Sequence, residues 1–309
     1  MRCLIVGCGY VGLPLGAELV RLGHEVFGLR RSAMAESELK AAGIQSLIAD
    51  ITKPDKLAGL PVGFDWVVNC VASSGGSVED YRQIYLQGTR HLLEWLAPSP
   101  PKKFVYTSST SVYGQTDGSQ VKETSPTGPV TETAKVLLET EQVLLGTGGS
   151  RGRSPHPTVP GVILRVAGIY GPERGHGFKQ FLNNKARLEG DGSRFLNMIH
   201  RDDVIGCIIA ALKNGRPGEI YNAVDDEPVS QVNYFQWLAE ELGKDLPPSV
   251  PENSDENRKR GVTSKRVLNR KLKMELGYQF KYPNFRKGYT AEILRLERAG
   301  ELHVTPDER

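Results

Sequence analysis

The sequence predicts an α/β fold, a doubly wound parallel sheet with a small C-terminal substrate lobe. Three observations lead there. Short apolar runs alternate with amphipathic stretches of helical period along most of the chain. The chain opens with an apolar run, a glycine-rich turn, an amphipathic segment and a second apolar run, in that order. Two later pieces, 172–200 and 225–290, fall outside the sheet pattern and together supply the lobe.

Cys3 to Val6 read as the first strand, and Gly7, Gly9 and Gly12 follow as G-x-G-x-x-G. Leu13, Leu15, Leu19, Val20 and Leu22 give a helix that Gly23 ends, and Glu25 to Leu29 form the second strand. In such a strand–turn–helix unit the first glycine permits the turn, the second lets backbone approach a pyrophosphate, and the third lets helix and strand pack closely. The helix N-terminus offers free N–H groups to the anion. The stretch therefore reads as a dinucleotide site, with Tyr10 and Val11 inside the cradle.

Ser32 is placed as the N-cap of a helix over Ala33 to Ala42, closed by Gly43. Ser46 to Ala49 form a third strand ending at Asp50 and Ile51, and Asp65 to Val71 a fourth, which runs into Ala72 and Ser73. A long helix is predicted from Val78 to Leu96, stopped by Pro98, Pro100 and Pro101. Lys103 to Thr107 make a fifth strand, Thr131 to Leu145 a helix, Gly146 to Pro160 a surface loop and Gly161 to Val166 a sixth strand. Asp202 to Leu212 form a helix with Asp202 as its N-cap, and Glu219 to Ala223 the next strand. The expected division is a dinucleotide-binding Rossmann domain at 1–171 and 201–224 and a substrate lobe at 172–200 and 225–290. The end of the C-terminal helix and a polar tail occupy 291–309.

The 309 residues suffice for a large core with an attached lobe. A net charge of +3 and a pI near 8.6 do not call for nucleic acid, and the basic stretch at 258–273 has no aromatic platform beside it. Four cysteines without paired spacing or a histidine cluster argue against a metal site or a disulfide framework. Reduced thiols, no basic-then-apolar leader and no membrane-length apolar run make a soluble, cytoplasmic protein the expectation.

The end of the second strand decides the cofactor expectation. An acid there binds the ribose hydroxyls of NAD. Here it is replaced by Arg30 and Arg31, followed by Ser32, and two guanidinium groups attract a 2′-phosphate. NADP is therefore expected ahead of NAD, against the plainer reading of a solvated arginine pair. Asp50 is a candidate for the adenine edge or a strand-end cap. Ile51, Val71, Ala72 and Ser73 complete the expected cofactor lining.

Several stretches resemble the extended, epimerase/dehydratase branch of the short-chain dehydrogenase/reductase superfamily. They are YTSSTSVYG at Tyr106 to Gly114, LRVAGIYGP at Leu164 to Pro172, NMIHRDDV at Asn197 to Val204, YNAVDDEP at Tyr221 to Pro228, and LGYQFKYPNFRKGY at Leu276 to Tyr289. They occur in the branch's order and span nearly the whole chain. The glycine motif is the shorter form found in some atypical members. By resemblance, Ser109 falls on the catalytic serine and Tyr170 on a cofactor-binding position. The family's Tyr-x-x-x-Lys pair falls on Thr131 and Lys135, so the lysine is kept and the tyrosine lost. Tyr85 stands where the branch has a helical asparagine, and Leu196 where an arginine often binds a nucleotide-sugar phosphate.

In the family the tyrosine supplies a proton to the developing alkoxide, and its loss matters: removing a matched general acid costs about 10²–10⁴-fold in rate. Thr131 is far too weak an acid to replace a phenol. Tyr85, and after it Tyr113, are the candidate replacement donors, set against the plainer reading of two packed tyrosines. Arg174, His176, Asn197, Arg258 and Arg260 are candidate substrate contacts, suited to an anionic group if they are not simply solvated. The expected partner is a small-molecule substrate. By the family's habit a homodimer would pair through helices 78–96 and 131–145. Two functions remain open: an NADP-dependent oxidoreductase or epimerase-like enzyme on a polar carbonyl or sugar-like substrate, or an NADP-binding sensor without turnover.

Overall fold

The computed structural model describes residues 1–73, 76–147, 159–251 and 263–302. Its centre is a seven-stranded parallel sheet built from β1 (Arg2–Val6), β2 (Glu25–Arg30), β3 (Gln45–Ile48), β4 (Trp66–Asn69), β5 (Lys103–Ser109), β6 (Gly161–Val166) and β7 (Ile220–Ala223). The order across the sheet is β7-β6-β5-β4-β1-β2-β3. Ile5 of β1 sits between Gly28 of β2 and Val68 of β4. The chain winds outward through β2 and β3, then returns to the other side of β1 at β4. That reversal leaves a crevice beyond the carboxyl ends of β1 and β4, where ligands bind in open α/β sheets.

Both faces of the sheet are buried, which is why its strands read as continuous apolar runs. Cys3, Ile5, Val26, Val68, Val105 and Leu164 belong to one core; Leu4, Val6, Phe27, Val67, Phe104 and Ile163 to the other.

Helix α1 (Gly12–Arg21) follows the glycine turn. The predicted helix at 33–42 is a 3₁₀ turn, Ala33–Ala35, leading into α2 (Glu36–Ala41), with Ser32 as the cap of the turn. Helix α3 covers 78–96 with a wide π-helical segment at Arg82–Gln87. Its start is fixed by a capping box between Ser77 and Asp80. Helix α4 (Glu132–Leu144) packs against it. Helices α5 (His176–Leu182), α6 (Arg201–Asn214), α7 (Gln231–Leu242), α8 (Arg270–Leu276) and α9 (Phe285–Arg298) complete the fold.

The lobe has an apolar cluster of its own, in which Phe178, Phe181, Tyr234, Phe235, Phe285 and Tyr289 pack together. Its limits differ from the expected ones. Val267, Leu272 and Leu276 join the sheet-domain core beside Cys207 and Ile208 of α6, so the apolar face of α8 draws that part of the chain back onto the first domain. Ile293 of α9 is buried in the lobe cluster, which carries the lobe past residue 290. The N-cap of α6 is His200 instead of Asp202: its Nδ1 accepts the Asp202 N–H at 3.1 Å, and the helix starts one residue early.

All four thiols are unpaired. Burial pushes those of Cys3 and Cys8 up to about 12, which makes them poor nucleophiles. No cluster of metal-ligating groups occurs among the described residues, and none of their helices is long and apolar enough to cross a membrane.

Candidate cofactor and active site

The glycine turn joins the carboxyl end of β1 to α1. Gly7 has φ of 92°, a region that favours glycine, and its N–H donates to the Leu29 carbonyl at 3.1 Å. A Cβ on Gly7 would lie 2.8 Å from the Val71 backbone, and one on Gly12 would lie 2.4 Å from the Gly7 carbonyl oxygen. Packing within the protein thus accounts for both. It does not account for Gly9, whose Cβ would meet no described atom within 4 Å. The open space over Gly9, at the head of α1, leaves room for a pyrophosphate, and these residues fit a bound dinucleotide.

A cleft of about 310 Å³ lies beside the turn, lined among others by Gly9, Tyr10, Arg30, Glu38 and Arg201. Arg30 is held by Glu38 at 3.2 Å, whereas Arg31 and Ser32 are exposed and the Ser32 hydroxyl accepts the Met34 N–H. The Tyr10 hydroxyl donates to the Pro172 carbonyl at 2.9 Å, which ties the turn to the start of the lobe. The guanidinium groups of Arg174 and Arg201 lie 5.0 and 5.3 Å from the Tyr10 ring centre. Val11 is partly buried at the head of α1. Asp50 accepts the Thr52 N–H and hydroxyl at 2.9 and 2.8 Å, a strand-end cap, and Ile51 is buried in the core.

Two of the expected catalytic residues stand at the carboxyl ends of β4 and β5. The Tyr85 hydroxyl accepts the Ser73 N–H at 3.0 Å, so it braces the segment Val71, Ala72 and Ser73 that leaves β4. Ser109 ends β5, and its hydroxyl accepts the Ser111 N–H at 3.2 Å.

The other expected site residues are placed differently. Thr131 is the N-cap of α4, its hydroxyl accepting the Ala134 N–H. Lys135 points outward and binds Glu132 at 2.5 Å with 55 % of its side chain exposed. Residues two apart on a helix lie about 200° apart. The buried side of α4 carries Ala134, Val136, Leu137, Thr140, Glu141, Val143 and Leu144, and Lys135 lies on the other, exposed side. Tyr113 is fully buried: its hydroxyl donates to Asn222 Oδ1 and accepts from Arg165, both at 2.9 Å, so it is a core tyrosine and not a proton donor to substrate. Tyr170 is buried in the lobe core, stacked on Tyr289 at 4.4 Å, and so does not line the cofactor crevice. The Asn197 amide bonds the Lys265 carbonyl and the Val267 N–H, which spends it on backbone instead of substrate. His176 opens α5 and is exposed, and Arg174 is drawn to Tyr10. Arg258 and Arg260 lie outside the described residues.

Sequence reasoning missed the polar groups that act across long separations. Arg165 on β6 makes a forked pair with Glu141 of α4, the shortest contact 2.7 Å, and Ser108 donates to the same carboxylate at 2.6 Å. An arginine inside an apolar strand was the available signal. Lys265 is 4 % exposed, not part of a solvated charge run. Its Nζ donates to the Tyr113 carbonyl and the Thr263 hydroxyl, and burial pulls its pKa down to about 8. Burial likewise pulls His200 down to about 4, so it caps α6 as a neutral ring.

Comparison with known proteins agrees with this architecture. The sequence profile of the NAD dependent epimerase/dehydratase family matches residues 3–223. The chain is similar to Protein YeeZ of Escherichia coli (strain K12), with 30 % identity covering 92 % of this chain and 97 % of that one. It is similar in structure to a functionally unknown conserved protein of Silicibacter pomeroyi, with a TM-score of 0.73, 26 % identity, and coverage of 98 % of this chain and 100 % of that one. It is also similar to DesIV, a dTDP-glucose 4,6-dehydratase of Streptomyces venezuelae solved with NAD bound, with a TM-score of 0.78, 25 % identity and 97 % of both chains covered. With its sheet order, its open glycine cradle and these relatives in agreement, the chain belongs to the NAD dependent epimerase/dehydratase family, in the extended branch of the short-chain dehydrogenase/reductase superfamily.

Proposed function

We propose that the chain is an NADP-dependent oxidoreductase or epimerase-like enzyme acting on a polar carbonyl or sugar-like substrate. The observation that carries the reading is Gly9: among the described residues nothing requires glycine there, yet the space above it opens at the switch point of the sheet. A bound nicotinamide supplies or accepts hydride. The protein must then hold the cofactor and move a proton to or from the reacting oxygen. Ser109 stands at the carboxyl end of β5, where it orients such an oxygen. Tyr85 is the proposed proton donor in place of the family tyrosine. The Ser73 N–H that it accepts fixes the ring and leaves the hydroxyl proton to be donated elsewhere. Arg30, which ends β2 and lines the cleft, supports NADP over NAD.

One observation favours a second reading. Thr131 replaces the family tyrosine and only caps α4, and Lys135, at the lysine position, is paired with Glu132 and exposed, so neither member of the pair is set for proton transfer. A sensor that binds NADPH without turnover accounts for this equally well. Incubation with NADPH and a panel of aldehydes, ketones and keto-sugars separates the two. An enzyme oxidises the cofactor with at least one substrate, and Tyr85→Phe slows it by about 10²-fold or more. Tight NADPH binding with no oxidation across the panel supports the sensor. Oxidation at wild-type rate by Tyr85→Phe removes Tyr85 from the mechanism.

A further inference from the structure

We infer that Arg201 and Arg30 form a two-armed site for the 2′-phosphate of NADP, and that Glu38 is the carboxylate this phosphate displaces. This deepens the NADP reading given above and rests on it. Arg30 ends β2 and Arg201 begins α6, yet both line the one 310 Å³ cleft beside Gly9, so a group entering it lies against two arginines from separate elements. Arg201 is largely buried, with 23 % of its side chain exposed, and is oriented by Asp202 at 3.3 Å and by the Tyr10 ring. Its Nε is buried and makes no hydrogen bond among the described residues. The exposed part of the guanidinium is what a phosphate oxygen in the cleft can meet, with a charge-assisted hydrogen bond.

The charges fit the same ligand. Arg30, Arg201 and Glu38 leave the cleft with one net positive charge, too little to balance a phosphate dianion. Glu38 stands on the short helix α2 with 60 % of its side chain exposed, so it can rotate into water at low cost. Two guanidinium groups then face the dianion. NAD, lacking the phosphate, leaves the Arg30–Glu38 pair in place, with the carboxylate beside the ribose. The pair Arg201 and Glu38 therefore sets the ratio of the two affinities. Arg31, which the sequence pairs with Arg30, is not among the residues lining this cleft.

The test is calorimetric titration of the full chain with NADPH, NADH, 2′,5′-ADP and 5′-ADP. Arg201→Ala is expected to weaken NADPH and 2′,5′-ADP by about tenfold or more, and to change NADH and 5′-ADP by less than about twofold. Arg201→Lys should recover part of the loss, and Glu38→Gln should strengthen NADPH severalfold while leaving NADH nearly unchanged. Equal losses for both dinucleotides with Arg201→Ala would place Arg201 on the pyrophosphate or in the fold and overturn the inference, as would no loss at all. If the unaltered protein binds neither dinucleotide, the reading beneath fails and takes this one with it. If it binds both and the ratio is indifferent to Arg201 and Glu38, only this inference fails.

Discussion

Gly9→Ala separates what the glycine turn does for the fold from what it does for the cofactor. Its Cβ would enter space with no described atom within 4 Å, and Gly9 is not among the residues with positive φ. Alanine at such a position stabilises by about 0.4–1 kcal/mol, through a less disordered unfolded chain. In the holo protein the methyl occupies the approach to the head of α1. A pyrophosphate lifted by roughly 1 Å loses about two charge-assisted hydrogen bonds at about 1.5–3 kcal/mol each. The sum, about 3–6 kcal/mol, corresponds to a roughly 10²–10⁴-fold loss of affinity. Gly12→Ala is the contrast. Its Cβ, 2.4 Å from the Gly7 carbonyl oxygen, forces α1 off β1 and should lower stability by about 1–3 kcal/mol or more. Thermal melting with titration of NADH and NADPH reads both quantities. The reasoning is refuted if Gly9→Ala binds the dinucleotides as well as the unaltered protein, or if it melts as early as Gly12→Ala.

Three further outcomes follow from the buried polar groups. Tyr113→Phe takes a partner from both Arg165 and Asn222 and should cost about 1–3 kcal/mol in denaturant unfolding with cofactor affinity unchanged; lost turnover at full stability would return Tyr113 to the mechanism. Lys265, about 8 in the fold against 10.5 ordinarily, binds fewer protons folded than unfolded between those values, so its contribution is full above 10.5 and is lost as pH falls through 8. The stability of the unaltered protein relative to Lys265→Met should therefore rise by up to about 3 kcal/mol as pH is raised across that window, and a flat difference would mean the amine is hydrated. His200, about 4 against 6.5, behaves alike at lower pH. Relative to His200→Asn, which keeps a cap acceptor, the unaltered protein should lose up to about 3 kcal/mol as pH falls from 6.5 to 4, and urea unfolding across that range that shows no such change would contradict a neutral buried ring.

The elements were legible because their signals are local. Apolar runs bounded by glycine and proline located every strand of the central sheet to within a few residues, and the Gly7, Gly9, Gly12 spacing located the turn between β1 and α1. Helix direction was not legible in the same way. A four-residue spacing puts Thr131 and Lys135 near one face, but only packing decides which face looks inward. The buried Arg165–Glu141 pair, joining residues 24 apart, turned Leu137 inward and Lys135 out. Tyr113 could be read as a donor or as a packed tyrosine, and its two partners, which decide for packing, come from β6 and β7.

By itself, then, the sequence determined the sheet, the glycine cradle and the family, since strand period, turn chemistry and motif order are written within short stretches. The tertiary structure alone decided which polar side chains reach the crevice. Arg201 and Arg30, 171 residues apart, line one cleft, and Lys265 meets the Tyr113 carbonyl across 152, because closing the fold brings them together and no local pattern records it.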